Sequence, residues 1–319
     1  MADVVCIGEA LVDFVPTTTG QRLGDAETFR KAAGGAPANV AVGVVRLGQA
    51  AAFMGMVGDD GFGRFLTSTL SQAGVDVTPL RLTDRAHTGL AFVSLHGSGE
   101  REFLFYRSPS ADMMFAPDDI DEAAIVASQI IHFGSITLIA EPSRSGTLRA
   151  VETARSHGKL ASYDPNLRLR LWPSADDARA GMKLGLRHAQ IVKIGAEEVE
   201  FLTGNADTIK GARSLWHDDL RLLAITRGAE GCYWLTAAAQ GAVEGFRVAS
   251  VDTTGAGDAF MAGLLVGLLQ EPTALEDHAV LDRICRFANA VGAITTMGRG
   301  AIPSLPTRST VVEFLDRQG

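Results

Sequence analysis

Short runs of apolar, β-branched residues alternate along this chain with longer stretches whose apolar positions recur every three or four residues. Residues 4–14 form the first such run, interrupted by Glu9, and read as one buried strand. A helix is predicted over 37–47, where Pro37 falls in the first turn and its missing N–H costs nothing. Residues 51–57 read as a strand, followed by a helix through Phe65, Leu66 and Leu70 that stops at Gly74. Further strands are predicted at 130–134, 160–163, 191–194 and 222–226, each preceded by a helix-length segment. That rhythm predicts a mostly parallel sheet covered by helices on both faces. Such sheets bind ligands beyond the carboxyl ends of their strands, so polar and glycine-rich motifs just after strands carry the interest.

One segment breaks the rhythm. Residues 88–96 and 100–107 read as the arms of a hairpin turning at Gly97-Ser98-Gly99. Both faces are apolar, with Leu90 and Phe92 on one side and Ala91, Val93 and Leu95 on the other. A hairpin with one wet face shows one polar set, and an isolated hairpin is only marginally stable. The expectation is a lid formed by about 14–34 and 86–112, joined by a strand near 28–33. One of its faces covers a ligand, and the other, with Val93 as an outward position, meets a second copy in a homodimer.

Composition narrows the class. The chain has 319 residues, 46% hydrophobic and 21% charged, enough for one large α/β domain, and shows no repeat or low-complexity tract. A net charge of −8 with scattered Lys and Arg argues against nucleic acid and anionic membranes as partners. The start, Met1-Ala2-Asp3, lacks the basic and apolar regions of a secretory signal, and the apolar stretch around 264–269 is too short to span a bilayer. Cys6, Cys232 and Cys285 are widely spaced without a C-x-x-C pair and read as buried reduced thiols of a cytoplasmic protein.

The densest chemistry lies in Val251-Asp252-Thr253-Thr254-Gly255-Ala256-Gly257-Asp258-Ala259-Phe260, ahead of a long helix of small residues. Gly255 to Gly257 let the backbone turn tightly and approach a ligand. The helix behind them starts with unpaired N–H groups and about half a positive charge, a setting for an anion. Asp258 falls in the first helical turn, beside that anion. Taken alone, the pattern also fits a plain helix start in which Asp258 satisfies backbone donors. A Walker A loop and a dinucleotide fingerprint are both absent.

The whole string resembles the C-terminal signature of ribokinase-like (PfkB-type) carbohydrate kinases. Gly34-Gly35-Ala36-Pro37-Ala38-Asn39-Val40-Ala41 looks like the N-terminal G-G-x-x-x-N-x-A motif of the same family, and the similarity runs from Cys6 to about Pro306. The resemblance implies a single α/β kinase domain, with a mostly parallel sheet between helices and a small β lid. It implies ATP with Mg²⁺ and transfer to a sugar hydroxyl. Asp258 is then the general base, and the backbone N–H groups of Gly255, Ala256 and Gly257 meet the charge on the moving phosphoryl group. Asp13, at the end of the first strand, can accept hydrogen bonds from two neighbouring hydroxyls. It falls on the sugar-binding aspartate of the family, and Gly34, Gly35 and Asn39 on its partners.

Tyr106-Arg107 and Asp164-Pro165-Asn166-Leu167-Arg168 look like the fructokinase and 2-keto-3-deoxygluconate kinase branches, and the stretch from Arg168 to Pro173 is closest to fructokinases. Arg107 and Arg168 offer forks of donors suited to sugar oxygens or phosphate. By resemblance Lys193 reaches phosphate and Glu198 organises Mg²⁺ and its waters, with Gly195 standing where many members carry Asn or Ser. Thr226 and Gly228 resemble a turn that meets ATP phosphates, and Asn289 is expected beside adenine. A monovalent cation, K⁺, is implied between the segment holding Asp252 and Thr254 and the loop holding Thr295, Gly298, Gly300 and Ser304. The implied activity is conversion of fructose to fructose 6-phosphate, with 2-keto-3-deoxygluconate as the alternative acceptor. A catalytically inactive sugar or nucleotide sensor is the reading from a different class, and retention of Asp258 weighs against it.

Overall fold

Val4 to Ile7 are all buried, as is every residue of Ala51–Gly58, so the strands they form are covered on both faces. A computed structural model describes residues 1–18, 20, 22–95 and 101–318. The chain runs β1 (Val4–Ile7), β2 (Leu11–Pro16), β3 (Phe29–Gly34), α1 (Ala36–Arg46), β4 (Ala51–Gly58), α2 (Gly61–Gln72), β5 (Leu80–Thr83), β6 (Leu90–Leu95) and β7 (Arg101–Tyr106). Then come α3 (Glu122–Ala127), β8 (Ile130–Gly134), α4 (Ser143–Ser156), β9 (Leu160–Asp164), α5 (Ala175–Arg187), β10 (Ile191–Gly195), α6 (Ala196–Thr203) and α7 (Thr208–Ser214). The last part holds β11 (Leu222–Thr226), β12 (Cys232–Leu235), β13 (Gln240–Val243), α8 (Ala256–Gln270), α9 (His278–Thr295), α10 (Ala301–Ser304) and α11 (Arg308–Gln318).

A nine-stranded sheet has the order β13-β12-β11-β10-β9-β8-β1-β4-β5. From β11 to β5 the strands are parallel, and β12 and β13 extend the sheet antiparallel. Neither β5 nor the β12–β13 extension was expected from the sequence, because each strand is only four residues long and partly exposed. The three cysteines are free and buried, and among the described residues no helix is long and apolar enough to cross a membrane.

Residues 4–14 are not one strand. β1 ends at Ile7, and the chain leaves the large sheet at Gly8, whose N–H still bonds Met54 O. A Cβ on Gly8 would lie 2.5 Å from the Pro37 ring at the start of α1. After Glu9 and Ala10, β2 begins a second sheet of order β3-β2-β6-β7. The hairpin turn at Gly97-Ser98-Gly99 lies outside the described residues.

In the small sheet Asp13 pairs with Ala32 and Ala91, and Ala91 pairs with Phe105, which puts these four in one row on one face. The opposite row holds Phe14, Phe92 and Leu104. Phe14 stacks on Phe92 at 5.0 Å and meets Phe62 of α2 edge-on at 5.7 Å, so the chain's own helix covers part of that face. Val93, expected on the outward side, lies on the inward one with Ala91. The outward positions are Phe92 and Leu104.

Helix α8 is buried along most of its length and is packed between α1 and α9 at small residues. A Cβ on Gly43 of α1 would lie 2.6 Å from Ala262 Cβ, and one on Gly263 would lie 2.9 Å from Ala288 Cα of α9. Overpacking at such a crossing forces the helices apart. Gly43→Val should therefore lower stability by about 1–3 kcal/mol in chemical denaturation, and an unchanged midpoint would mean that α1 can retreat freely.

Candidate active site

Between the carboxyl edge of the large sheet and the inward face of the small one lies a cavity of about 520 Å³, a size suited to small ligands. Asp13, Ala32, Ala91, Val93 and Phe105 line it from the small sheet, and Lys193 from β10. Asn166 and Arg168 reach it from the loop after β9, and Asp252 to Gly255, Gly257 and Asp258 from the turn into α8.

Gly255 caps α8 with φ 79°, the left-handed conformation that glycine accepts most readily. A Cβ on Gly257 would lie 2.7 Å from Lys193 Nζ and would push the ammonium group aside. The first turn of α8 thus lines the cavity at Gly255, Gly257 and Asp258, with the Lys193 ammonium beside it. Asp258 is 7% exposed, and its Oδ2 accepts from Asn39 Nδ2 at 2.7 Å. Burial, reinforced by the Asp164 carboxylate, pushes the Asp258 carboxyl up to about 6, against the pull of the Asn39 bond, Lys193 and Arg168. Lys193 Nζ donates to Asp164 Oδ2 at 2.9 Å, with both side chains buried. Burial lowers the Lys193 pKa, but the Asp164 and Glu198 carboxylates outweigh it, and the net direction is upward.

From the small sheet the Asp13 carboxylate lies over Gly34, where a Cβ would collide with it. Burial pushes Asp13 up to about 7, with Arg168 opposing and Asp258 adding to the rise. Gly35 adopts φ 106°, and a Cβ there would strike the Glu9 carbonyl, so both backbone and space call for glycine. Glu9 also lines the cavity: its Oε1 accepts from Ala36 N at 3.0 Å, and burial pushes its carboxyl up to about 7 against the Arg107 charge.

Several expected residues stand elsewhere. Arg107 does not line the cavity; its Nε donates to Asp112 Oδ2 at 2.7 Å, and both side chains are buried. Tyr106 is 60% exposed, with its ring edge-on to Phe92 on the outward face. Strand alternation explains this, since β7 directs Phe105 inward. Asn289 does not line the cavity and donates Nδ2 to Val243 O and Glu244 O, tying α9 to the end of β13. Thr226 and Gly228 lie at the end of β11, outside the lining. Gly34 and Ala256 support the lining without joining it.

Glu198 accepts from Leu167 N at 2.6 Å and Gly195 N at 2.8 Å, joining the loops after β9 and β10. Among the described residues no three His, Cys, Asp or Glu side chains converge on a metal position. The half-buried Glu198 carboxylate fits Mg²⁺ held through water and phosphate rather than by a protein cage. Asp252 joins two other loops: Oδ1 accepts from Thr254 N and Oγ1 at 2.9 and 2.7 Å, and Oδ2 from Gly300 N at 2.9 Å. Gly298 packs against Ser304, and the Thr295 hydroxyl donates to Val291 O at 2.8 Å. These contacts hold the two segments together beside Gly255.

Glu9, Asp164 and Asn166 were left out of the expected site. A charge inside a buried run was the signal for Glu9. Asp164 ends a core strand, and Asn166 takes φ 44°, which asparagine tolerates.

The chain matches the pfkB family carbohydrate kinase pattern over residues 1–308. It is 49% identical over 316 residues to the probable fructokinase-3 of Arabidopsis thaliana, covering 99% of this chain and 92% of that one. Its fold superimposes on the fructokinase of Xylella fastidiosa with bound ATP at a TM-score of 0.91 and 36% identity, covering 100% and 99% of the two chains. A double mutant of the Vibrio cholerae O395 fructokinase, in a fructose, ADP and potassium ion bound form, aligns at a TM-score of 0.87 and 35% identity, covering 99% and 98%. With a glycine-capped helix start, a buried carboxylate and a small-molecule cavity in one place, and likeness along its whole length, this chain belongs to the pfkB family of carbohydrate kinases.

Proposed function

We propose that this chain transfers the γ-phosphoryl group of ATP to a hydroxyl of fructose, forming fructose 6-phosphate and ADP. The observation that carries the reading is Asp258, a carboxylate with a raised proton affinity facing the cavity beside the α8 N–H groups. Fructokinase relatives, including one whose structure holds fructose and ADP, support the acceptor. Asp13 accepts hydrogen bonds from sugar hydroxyls, and Arg168 closes the same end. The oxygen of the sugar hydroxyl attacks the γ-phosphorus as its proton passes to Asp258, and the bond to the ADP oxygen breaks. Negative charge on the transferred group meets the N–H groups of Gly255 to Asp258 and the Lys193 ammonium. Mg²⁺, held by Glu198 through water, would neutralise phosphate charge. The small sheet acts as the lid over the sugar.

The acceptor is tested by catalytic efficiency on a panel of sugars. Fructose should exceed 2-keto-3-deoxygluconate, ribose and adenosine. If the keto-deoxy acid wins by tenfold, about 1.4 kcal/mol, the acceptor assignment is wrong.

Asp258→Asn should lower kcat by roughly 10² to 10⁴ while sugar and ATP still bind. In the wild type the base must be ionised. Its raised pKa of about 6, and that of Asp13 at about 7, therefore predict that kcat/KM falls as pH drops from 7 towards 6. A flat profile across that window would remove both carboxylates from the rate.

A K⁺ ion between the Asp252–Thr254 and Thr295–Ser304 segments would stiffen the turn and align its N–H donors. Replacing Na⁺ by K⁺ at equal ionic strength should raise the rate, and indifference would leave these loops a purely structural part.

The outward face of the lid supports a homodimer. Leu104 and Tyr106 are 47% and 60% exposed, and burying such side chains is worth about 1.5–3 kcal/mol each. Leu104→Asp should shift a sedimenting dimer to a 33.7 kDa monomer. A wild-type monomer at micromolar concentration would mean that α2 covers this face sufficiently.

A further inference from the structure

Asp164 ends β9 directly behind the cavity and is 1% exposed. Its Oδ2 accepts from Lys193 Nζ at 2.9 Å, and its Oδ1 is buried without a hydrogen-bond partner. Lys193 Nζ in turn lies so near Gly257 that a Cβ there would be 2.7 Å away. A lysine ammonium sits on a flexible four-carbon stem, and by itself it has no fixed place in a cavity. Here one carboxylate fixes it under the first turn of α8, where phosphoryl charge develops.

We propose that Asp164 is a positioning residue for phosphoryl transfer: it holds the Lys193 ammonium beneath Gly257 and lays its own negative charge beside Asp258. The proposal rests on the reading of Asp258 as the base. The groups that face Asp258 are Asn39 from α1, Asp13 from β2, Asp164 and Arg168 from β9 and its loop, and Lys193 from β10. Asp164 and Asp13 oppose ionisation of the base, whereas Asn39, Lys193 and Arg168 favour it. Without Asp164 the ammonium would stabilise the carboxylate unopposed, and a base ionised too readily accepts a proton poorly.

The test compares Asp164→Asn, Lys193→Met and the double variant by ¹³C NMR titration of the Asp258 carboxyl in nucleotide-free protein. Thermal melting and pH–rate profiles accompany it. Asp164→Asn should move both the Asp258 titration and the acid limb of kcat/KM to lower pH. It should also cut kcat by about ten- to hundredfold, because the ammonium loses its anchor. Lys193→Met should move the titration upward. In the double variant the kcat loss from misplacing the ammonium should not add to that of Lys193→Met, while the Asp258 titration should still fall below that of Lys193→Met, because the Asp164 charge acts on Asp258 directly. An Asp258 titration unmoved in Asp164→Asn, or a double loss equal to the product of the single ones, overturns the proposal. If Asp164→Asn does not fold, Asp164→Glu, which keeps the charge but displaces it, is measured instead, and kcat and an Asp258 titration both equal to wild type overturn the proposal. Failure of the base assignment would appear separately, as near-normal turnover in Asp258→Asn with the titration shifts intact.

Discussion

Helix α8 can carry a carboxylate into the interior because α1 and α9 approach close enough to bury the rest of it. Gly43 faces Ala262 across one contact, and Gly263 and Gly267 face Ala288 and Ile284 across the other. Helix periodicity then does the rest. Asn39 lies one turn before Gly43, and Asp258 one turn before Ala262, so the faces that pack also bring Asn39 Nδ2 to Asp258 Oδ2. A larger residue at the crossing would separate the backbones, admit water and slacken that hydrogen bond. Packing and the proton affinity of Asp258 are thus one property of the same helix pair.

The charges around the cavity are arranged for placement rather than for stability. A buried pair such as Lys193–Asp164 recovers little more than its own desolvation, and a hydrophobic pair of the same volume would serve the fold as well. Glu9, Asp13 and Asp258 all have pKa values raised by burial to between about 6 and 7. A carboxyl whose folded pKa lies above its unfolded one stabilises the fold fully below the unfolded value, and that contribution declines as pH rises from there and is gone above the folded values of about 6 to 7. In the proposed mechanism Asp258 works ionised, which is the state its burial disfavours.

Much of this was legible in the chain. Parallel strands bounded by glycine turns gave the large sheet, and the D-T-T-G-A-G-D and G-G-A-P-A-N strings placed Asp258, Asn39 and the glycines. What escaped depended on direction and on distant partners. One apolar run held two strands because Gly8 must clear Pro37, a residue of the following helix. The row of Val93 was not settled by alternation alone, since both rows of the hairpin are apolar. Arg107 pairs with Asp112 rather than lining the cavity, a buried partner that the sequence pattern did not reveal. Asp164 was in view as part of a motif, but its grip on Lys193 joins neighbouring strands far apart in sequence.

The hydrogen bond between Asn39 and Asp258 spans 219 residues, and this has a consequence for synthesis. As the chain leaves the ribosome, β1 to β11 and their helices emerge first, with the apolar side of α1 bare. Only when α8 and α9 follow can that side be covered and the cavity close. Until then the nascent protein exposes a greasy groove where its centre will be, and such surfaces are what chaperones hold. A chain broken off before α8 would lack Asp258 and the cover for α1 together, so truncated products should be retained by chaperones or degraded rather than survive as folded fragments.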